Sequence, residues 1–255
     1  MRALKLPGIL LLMISCLPQE TPNTLVIATA ANMQFAMTEL TEAFSDQSGI
    51  PCKTVISSSG KLTTQIKQGA PYDIFVSADV KYPMDLYDAG MAYSKPRTYA
   101  YGQLIMWSQY PHLELKPETL LRPDVTHIAI ANPQTAPYGQ AAQVFLEKAG
   151  LWTRIQHKLV YGESISQTNQ FILSEAAQVG FTGQSVLYAF ETPKVAQWKY
   201  VDTGFYRPIA QSMVLLNNRP QMKQASQQFE SFLFTRSAVT ILKKYGYRVP
   251  QNEKF

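Results

Sequence analysis

Residues 56–62 read ISSSGKL, which sets three consecutive serines, a glycine and a lysine side by side. Such a stretch can supply a nucleotide phosphate loop, a serine nucleophile or a cradle for a free oxyanion. A phosphate loop needs a glycine five positions before the Gly-Lys pair and a hydroxyl residue after it. Val55 and Leu62 occupy those positions, so no loop can curl around a triphosphate and no hydroxyl is set for magnesium. Ser58-Ser59-Gly60-Lys61 does match the serine–lysine spacing S-x-x-K of acyl-transfer enzymes. The S-D-N-like and K-T-G elements that complete such a pocket are absent from the chain, as is G-x-S-x-G. Asp73 and Asp79 lack a spaced His or Cys partner for a metal, and His112, His127 and His157 stand isolated.

The anion reading draws on more of the chain. The first turn of a helix presents unpaired N–H groups and a partial positive charge. Four strand-to-helix junctions carry small or polar residues at that position: Ala31-Asn32, Ser58-Ser59-Gly60, Pro137-Tyr138-Gly139 and Ser164-Ile165-Ser166. Two fall in each half of the sequence. If the halves form two lobes, neutral donors from both sides can face a small tetrahedral anion. Each junction residue taken alone could equally be an N-cap, because capping and anion binding use the same geometry.

The elements that must place these junctions alternate. TLVIATA is an apolar run of buried-strand type, followed by helical spacing of Phe35, Met37, Leu40 and Phe44 and a stop at Gly49. CKTVISSS precedes the helix KLTTQIKQG, and YDIFVSA precedes DVKYPMDLYDAG with Asp79 as its cap. The unit recurs as HIAIANP with YGQAAQVFLEKAG, and as KLVYGES with ISQTNQFILSEAAQVG, after which VGFTG reads as a short strand. YGQLIMWS and RPIAQSMVLLNN break the rhythm as longer apolar strands and are the expected crossings between lobes. A C-terminal amphipathic helix with a break near Thr235 closes the chain. This alternation predicts an α/β protein of parallel sheets covered by helices.

The N-terminus, MRALKLPGILLLMISC, has a basic start, a short apolar stretch and then Cys16, the layout of an export signal rather than a membrane span. Residues 1–15 are read as the leader, Cys16 as the lipidated residue and 16–23 as a linker. Met13 stands where leucine is usual in lipoprotein signals. With Cys16 acylated, Cys52 is a lone thiol, expected to be buried near a strand. Net charge is +5, and loss of Arg2 and Lys5 with the leader leaves 21 basic against 18 acidic residues, +3. The basic residues are scattered, so no nucleic-acid module is read from them.

The stretches IATAAN, ISSSGKLTTQIKQGAPYDIFVSAD, IAIANPQTAPYGQAAQVFLEKAGLW and ILKKYGY resemble the periplasmic molybdate-binding proteins of ATP-driven importers, over roughly Thr24 to Val249. That resemblance implies a two-lobed periplasmic-binding-protein type II fold, with residues 24–100 plus 207–255 in one lobe and 101–206 in the other. It implies a molybdate or tungstate ligand, no cofactor or free metal cation, no catalysis, a membrane permease as partner, and a monomer in the periplasm or at the outer face of the cytoplasmic membrane. By position, the implied ligand shell is Ala31, Asn32 (side chain and N–H), Ser59, and the backbone N–H groups of Tyr138 and Ile165. Many members add a tyrosine hydroxyl where this chain has Gly183, with Asn32 and Thr182 as candidates to replace that donor. The competing expectations are the same fold tuned to another oxyanion such as sulfate, and a serine acyl-transfer enzyme using Ser58 and Lys61.

Overall fold

The structure, a computed structural model, describes residues 23–189 and 197–250. The leader, Cys16 and nearly all of the linker lie outside them. Leu25–Ala30 (β1) is buried along its whole length, as six successive apolar or small residues dictate, and it lies between two parallel strands. Its neighbours are Cys52–Ser57 (β2) and Ile74–Ser77 (β3). Between these strands run Gln34–Ser48 (α1), entered through a 3₁₀ turn at Ala31–Met33, then Ser59–Lys67 (α2), with Lys81–Asp88 (α3) following β3. Gly49 ends α1 at φ 71°, the left-handed conformation that glycine adopts without a Cβ penalty. The Asp79 carboxylate accepts from the Tyr82 N–H at 3.2 Å, capping the start of α3 as its sequence position predicts.

Arg97–Gly102 (β4) and Leu104–Ser108 (β5) follow, then Ile128–Ala131 (β6), Pro137–Lys148 (α4), the single turn Trp152–Ile155 (α5), Leu159–Gly162 (β7) and Ile165–Leu173 (α6). Val179–Gly183 (β8), Gln197–Tyr200 (β9), Ile209–Leu215 (β10), Lys223–Leu233 (α7) and Arg236–Lys244 (α8) complete the chain. Thr235 N-caps α8, so the C-terminal helix breaks where expected.

Two five-stranded sheets result, in the orders β2-β1-β3-β10-β4 and β7-β6-β8-β5-β9. Each has three parallel strands, the classical product of strand–helix–strand repeats, joined to antiparallel strands: β10 on β3 and β4, and β5 on β8 and β9. The sheets are therefore mixed rather than purely parallel, because the strands around the crossings return in the opposite direction. The chain passes from the first sheet to the second at Gln103 and back between β9 and β10. Helices flank both sheets, and the molecule is an α/β protein of two lobes.

Three details depart from the sequence reading. YGQLIMWS is not one strand: it divides at Gln103, whose carbonyl accepts from the Gln184 N–H instead of continuing the ladder. The sixth helix stops at Leu173, short of the stretch read as helical, and Glu175 turns the chain at φ 60° so that β8 can begin at Val179. Cys52 opens β2 half-buried, and desolvation pushes its thiol pKa up to about 11.

Candidate functional site

The four junctions meet. Ala31, Asn32, Ser58, Ser59, Tyr138 and Ile165 line one cavity, together with Ala30, Ala78, Ala136 and Pro137. Its volume is about 10 Å³, of the order needed to admit a single water molecule. No charged side chain lines it. The lining comes from both lobes: the starts of α1's 3₁₀ turn and α2 on one side, and the starts of α4 and α6 on the other. In each case a strand ends and a helix begins at the cavity wall, so the first-turn N–H groups, which have no intrahelical acceptor, are gathered there. Pro137 at the first position of α4 fits that geometry, since its missing N–H would have had no partner.

Each sequence-predicted residue takes a defined place. Asn32 is buried, and its Nδ2 donates to Gln211 Oε1 at 2.7 Å and to the Tyr247 hydroxyl at 3.0 Å. Tyr247 and Ser185 in turn donate to the Asn32 carbonyl at 2.8 and 2.7 Å. The Asn32 amide is thus engaged within the protein, and what remains for the cavity is its backbone N–H. Ser59 Oγ accepts from the Ala78 N–H at 3.1 Å, which leaves its own proton free to be donated. Tyr138 and Ile165 are buried at the first turns of α4 and α6.

Gly183, where a further tyrosine hydroxyl was looked for, has a physical explanation. A Cβ at Gly183 would sit 3.1 Å from Tyr138 Cε1, and one at Gly102 would sit 1.8 Å from the Tyr138 hydroxyl. The Tyr138 ring lies between these two glycines, so a side chain is excluded at Gly102 and crowded at Gly183. Burial raises the Tyr138 phenol well above the ordinary tyrosine range, aided by the nearby Tyr247, Tyr206 and Tyr99, while a hydrogen bond from Asn32 opposes it. Tyr247 is pushed up to about 12, again by desolvation. Both phenols stay neutral around the site. Thr182, the other candidate donor, gives its hydroxyl to Asn169 and is not among the cavity-lining residues.

The lobes touch across the cavity. The Gly60 N–H donates to Thr135 O at 2.8 Å, Tyr82 donates to Gln134 O at 2.9 Å, and Ser166 donates to Gln34 Oε1 at 2.8 Å. Gly60 is required for this approach: a Cβ there would lie 2.9 Å from Thr135 Cα. Lys61 Nζ pairs with Glu163 Oε2 at 2.6 Å, one residue from each lobe, with both side chains substantially exposed.

That ion pair bears on the acyl-transfer alternative. Lys61 is committed to Glu163, and Ser58 Oγ is buried without any protein hydrogen-bond partner. A serine nucleophile needs a base within hydrogen-bond reach, and none is there. Ser58 belongs to the second junction and lines the cavity, although it stands outside the ligand shell that the resemblance implies. In a run of three serines nothing in the composition tells which hydroxyl faces inward.

A broader cleft opens beside the cavity and shares Ala78 and Pro137 with it. It measures about 810 Å³ and carries Asp79, Lys81, Lys148 and Arg207.

A family model described as bacterial extracellular solute-binding protein matches residues 25–248. The chain belongs to that family. It is 36% identical over 223 residues to the molybdate-binding protein ModA of Rhodobacter capsulatus, covering 87% of each chain. Its fold matches the solved periplasmic molybdate-binding protein of Azotobacter vinelandii with a TM-score of 0.83 and 34% identity, over 89% of this chain and 100% of that one. The sulfate-binding protein SubI of Mycobacterium tuberculosis shares the fold at a TM-score of 0.74 and 14% identity, over 90% of this chain and 88% of that one. The two-lobed binding-protein architecture of this family is therefore the fold of this chain.

Proposed function

We propose that this chain is the extracytoplasmic receptor of an ABC importer for molybdate or tungstate. The observation that carries the reading is the convergence of helix N-termini from both lobes on one small cavity without a charged side chain. A fully deprotonated dianion has only acceptors, so a shell of N–H and O–H donors satisfies it, and a carboxylate in that shell would repel it. Ala31, Asn32, Ser59, Tyr138 and Ile165 form the shell, with Asn32, Tyr138 and Ile165 acting through the backbone. The identity to two molybdate-binding proteins supports the choice of anion. Sulfate is the competing ligand, since a sulfate-binding protein has the same fold.

The lobes divide at Gln103 rather than after residue 100, since Tyr101 and Gly102 lie in β4 of the first sheet; residues 24–102 with 207–255 form one and 103–206 the other, and the ligand draws them together by hinge motion at the crossings. The protein works as a monomer that hands its anion to a membrane permease, carries out no catalysis and needs no cofactor. Residues 1–15 direct its export, and acylated Cys16 holds it at the outer face of the cytoplasmic membrane.

A melting scan with millimolar molybdate, tungstate, sulfate and phosphate tests the ligand. A ligand at ~1,000 times its dissociation constant adds ~4 kcal/mol, a rise of roughly 8–16 °C for a chain of this size. Rises with molybdate and tungstate alone are expected. A rise with sulfate or phosphate instead overturns the specificity, and no rise with any oxyanion overturns the reading.

A further inference from the structure

Ser58 occupies the N-cap of α2, with extended backbone at φ −71° and ψ 151°, yet its hydroxyl makes no cap hydrogen bond. A serine at this position ordinarily accepts from the N–H two or three residues on. Here the first of those groups, the Gly60 N–H, is directed across the cleft to Thr135 O. The Ser58 side chain is 3% exposed, its Oγ has no protein partner, and the residue lines the cavity. An unpaired buried hydroxyl is costly, so one kept in the wall of a ligand cavity points to a ligand that pairs it. The groups that could otherwise supply an additional side-chain donor are occupied: Asn32 Nδ2 by Gln211 and Tyr247, and the Thr182 hydroxyl by Asn169.

Resting on the proposed oxyanion function, we infer that Ser58 is a specificity-determining ligand of the bound anion, donating its hydroxyl to one of its oxygens alongside Ser59. The two serines differ in what they can give. Ser59 Oγ is anchored by the Ala78 N–H and is fixed in direction, whereas Ser58 Oγ is held only by its own backbone. Ser58 is therefore the donor that can turn to meet an oxygen of a larger tetrahedral anion.

The test is calorimetric titration of wild type and Ser58→Ala with molybdate and with sulfate, alongside melting of both proteins without ligand. Removing an unpaired hydroxyl leaves the unliganded melting temperature equal or slightly higher. Molybdate affinity is expected to fall ~10- to 100-fold, the loss of one hydrogen bond to a charged acceptor, with any sulfate binding reduced less. Equal molybdate affinity in wild type and Ser58→Ala overturns the role of Ser58 and leaves the oxyanion function standing. An equal proportional loss for molybdate and sulfate overturns its role in specificity. Absence of molybdate binding by wild type overturns the function and this inference with it.

Discussion

Two spaces lie side by side between the lobes, and they are built on opposite principles. The cleft of about 810 Å³ is wide and carries three cationic side chains against one carboxylate, Asp79. The cavity beside it is about 10 Å³ and carries none. By volume and charge the cleft looks like the better anion site. By preorganisation the cavity is, because the backbone N–H groups and the serine hydroxyls at its wall are placed by four helix starts and by contacts such as Gly60 to Thr135. Flexible lysines in water gain little from a single charge–charge contact and are screened by salt. Fixed neutral donors in a closed space bind strongly without an ion pair to the ligand, and the one pair described between the lobes, Lys61–Glu163, is exposed and weak enough to part when they reopen. On the proposed function, the cleft attracts anions and the cavity holds them.

The sharpest way to break this contrast is Gly60→Ala. The added Cβ meets Thr135 Cα at 2.9 Å, so it opposes closure without touching the cavity lining. Molybdate affinity should fall roughly 10- to 100-fold, as overpacking of ~1–3 kcal/mol implies, while the unliganded melting temperature holds, because alanine is the better helix former. Unchanged affinity in a titration would mean that the closed arrangement is not the binding one. Replacing Lys81, Lys148 and Arg207 together by glutamine should act on rate instead. Stopped-flow association at low salt should slow several-fold, with dissociation unchanged, as expected for electrostatic steering. A changed dissociation rate would place the ligand in the cleft. Glu163→Gln removes the exposed Lys61 pair between the lobes, and it should cost no more than ~1 kcal/mol of affinity, a few-fold at most. Finally, affinity should be flat between pH 6 and 9. The cavity has no carboxylate, imidazole or amine, and its lone phenol, Tyr138, has its pKa raised by burial. A raised phenol costs nothing until the unfolded chain's tyrosines ionise, so the phenol's own contribution to stability should decline as pH rises past ~10, while the raised Cys52 thiol begins to cost stability from about pH 9.

The same contrast explains what was legible in the sequence. The β1–α1 and β2–α2 units are read easily, because a continuous apolar strand gives way to helical spacing and the small residues at the junction have no other use. Asn32 and Ser59 came with those junctions, and Tyr138 and Ile165 with the same pattern at the starts of α4 and α6. The edge strand Gln197–Tyr200 was not legible, since QWKY is half polar and owes its strand to pairing with β5. Side-chain direction was not legible either. Nothing local separates Ser58 from Ser59, because the difference lies in the Ala78 N–H, nineteen residues away, that holds Ser59 alone. The packing of the Tyr138 ring between Gly102 and Gly183 depends on three distant segments, and so does the commitment of the Asn32 amide to Gln211 and Tyr247.

The account turns on where the anion sits. Crystals grown with tungstate and measured at a tungsten absorption edge locate it by its anomalous signal alone. One peak is predicted, within hydrogen-bond distance of Ser59 and the backbone N–H groups of Asn32, Tyr138 and Ile165. A peak among Lys81, Lys148 and Arg207, with none between the helix N-termini, would contradict it.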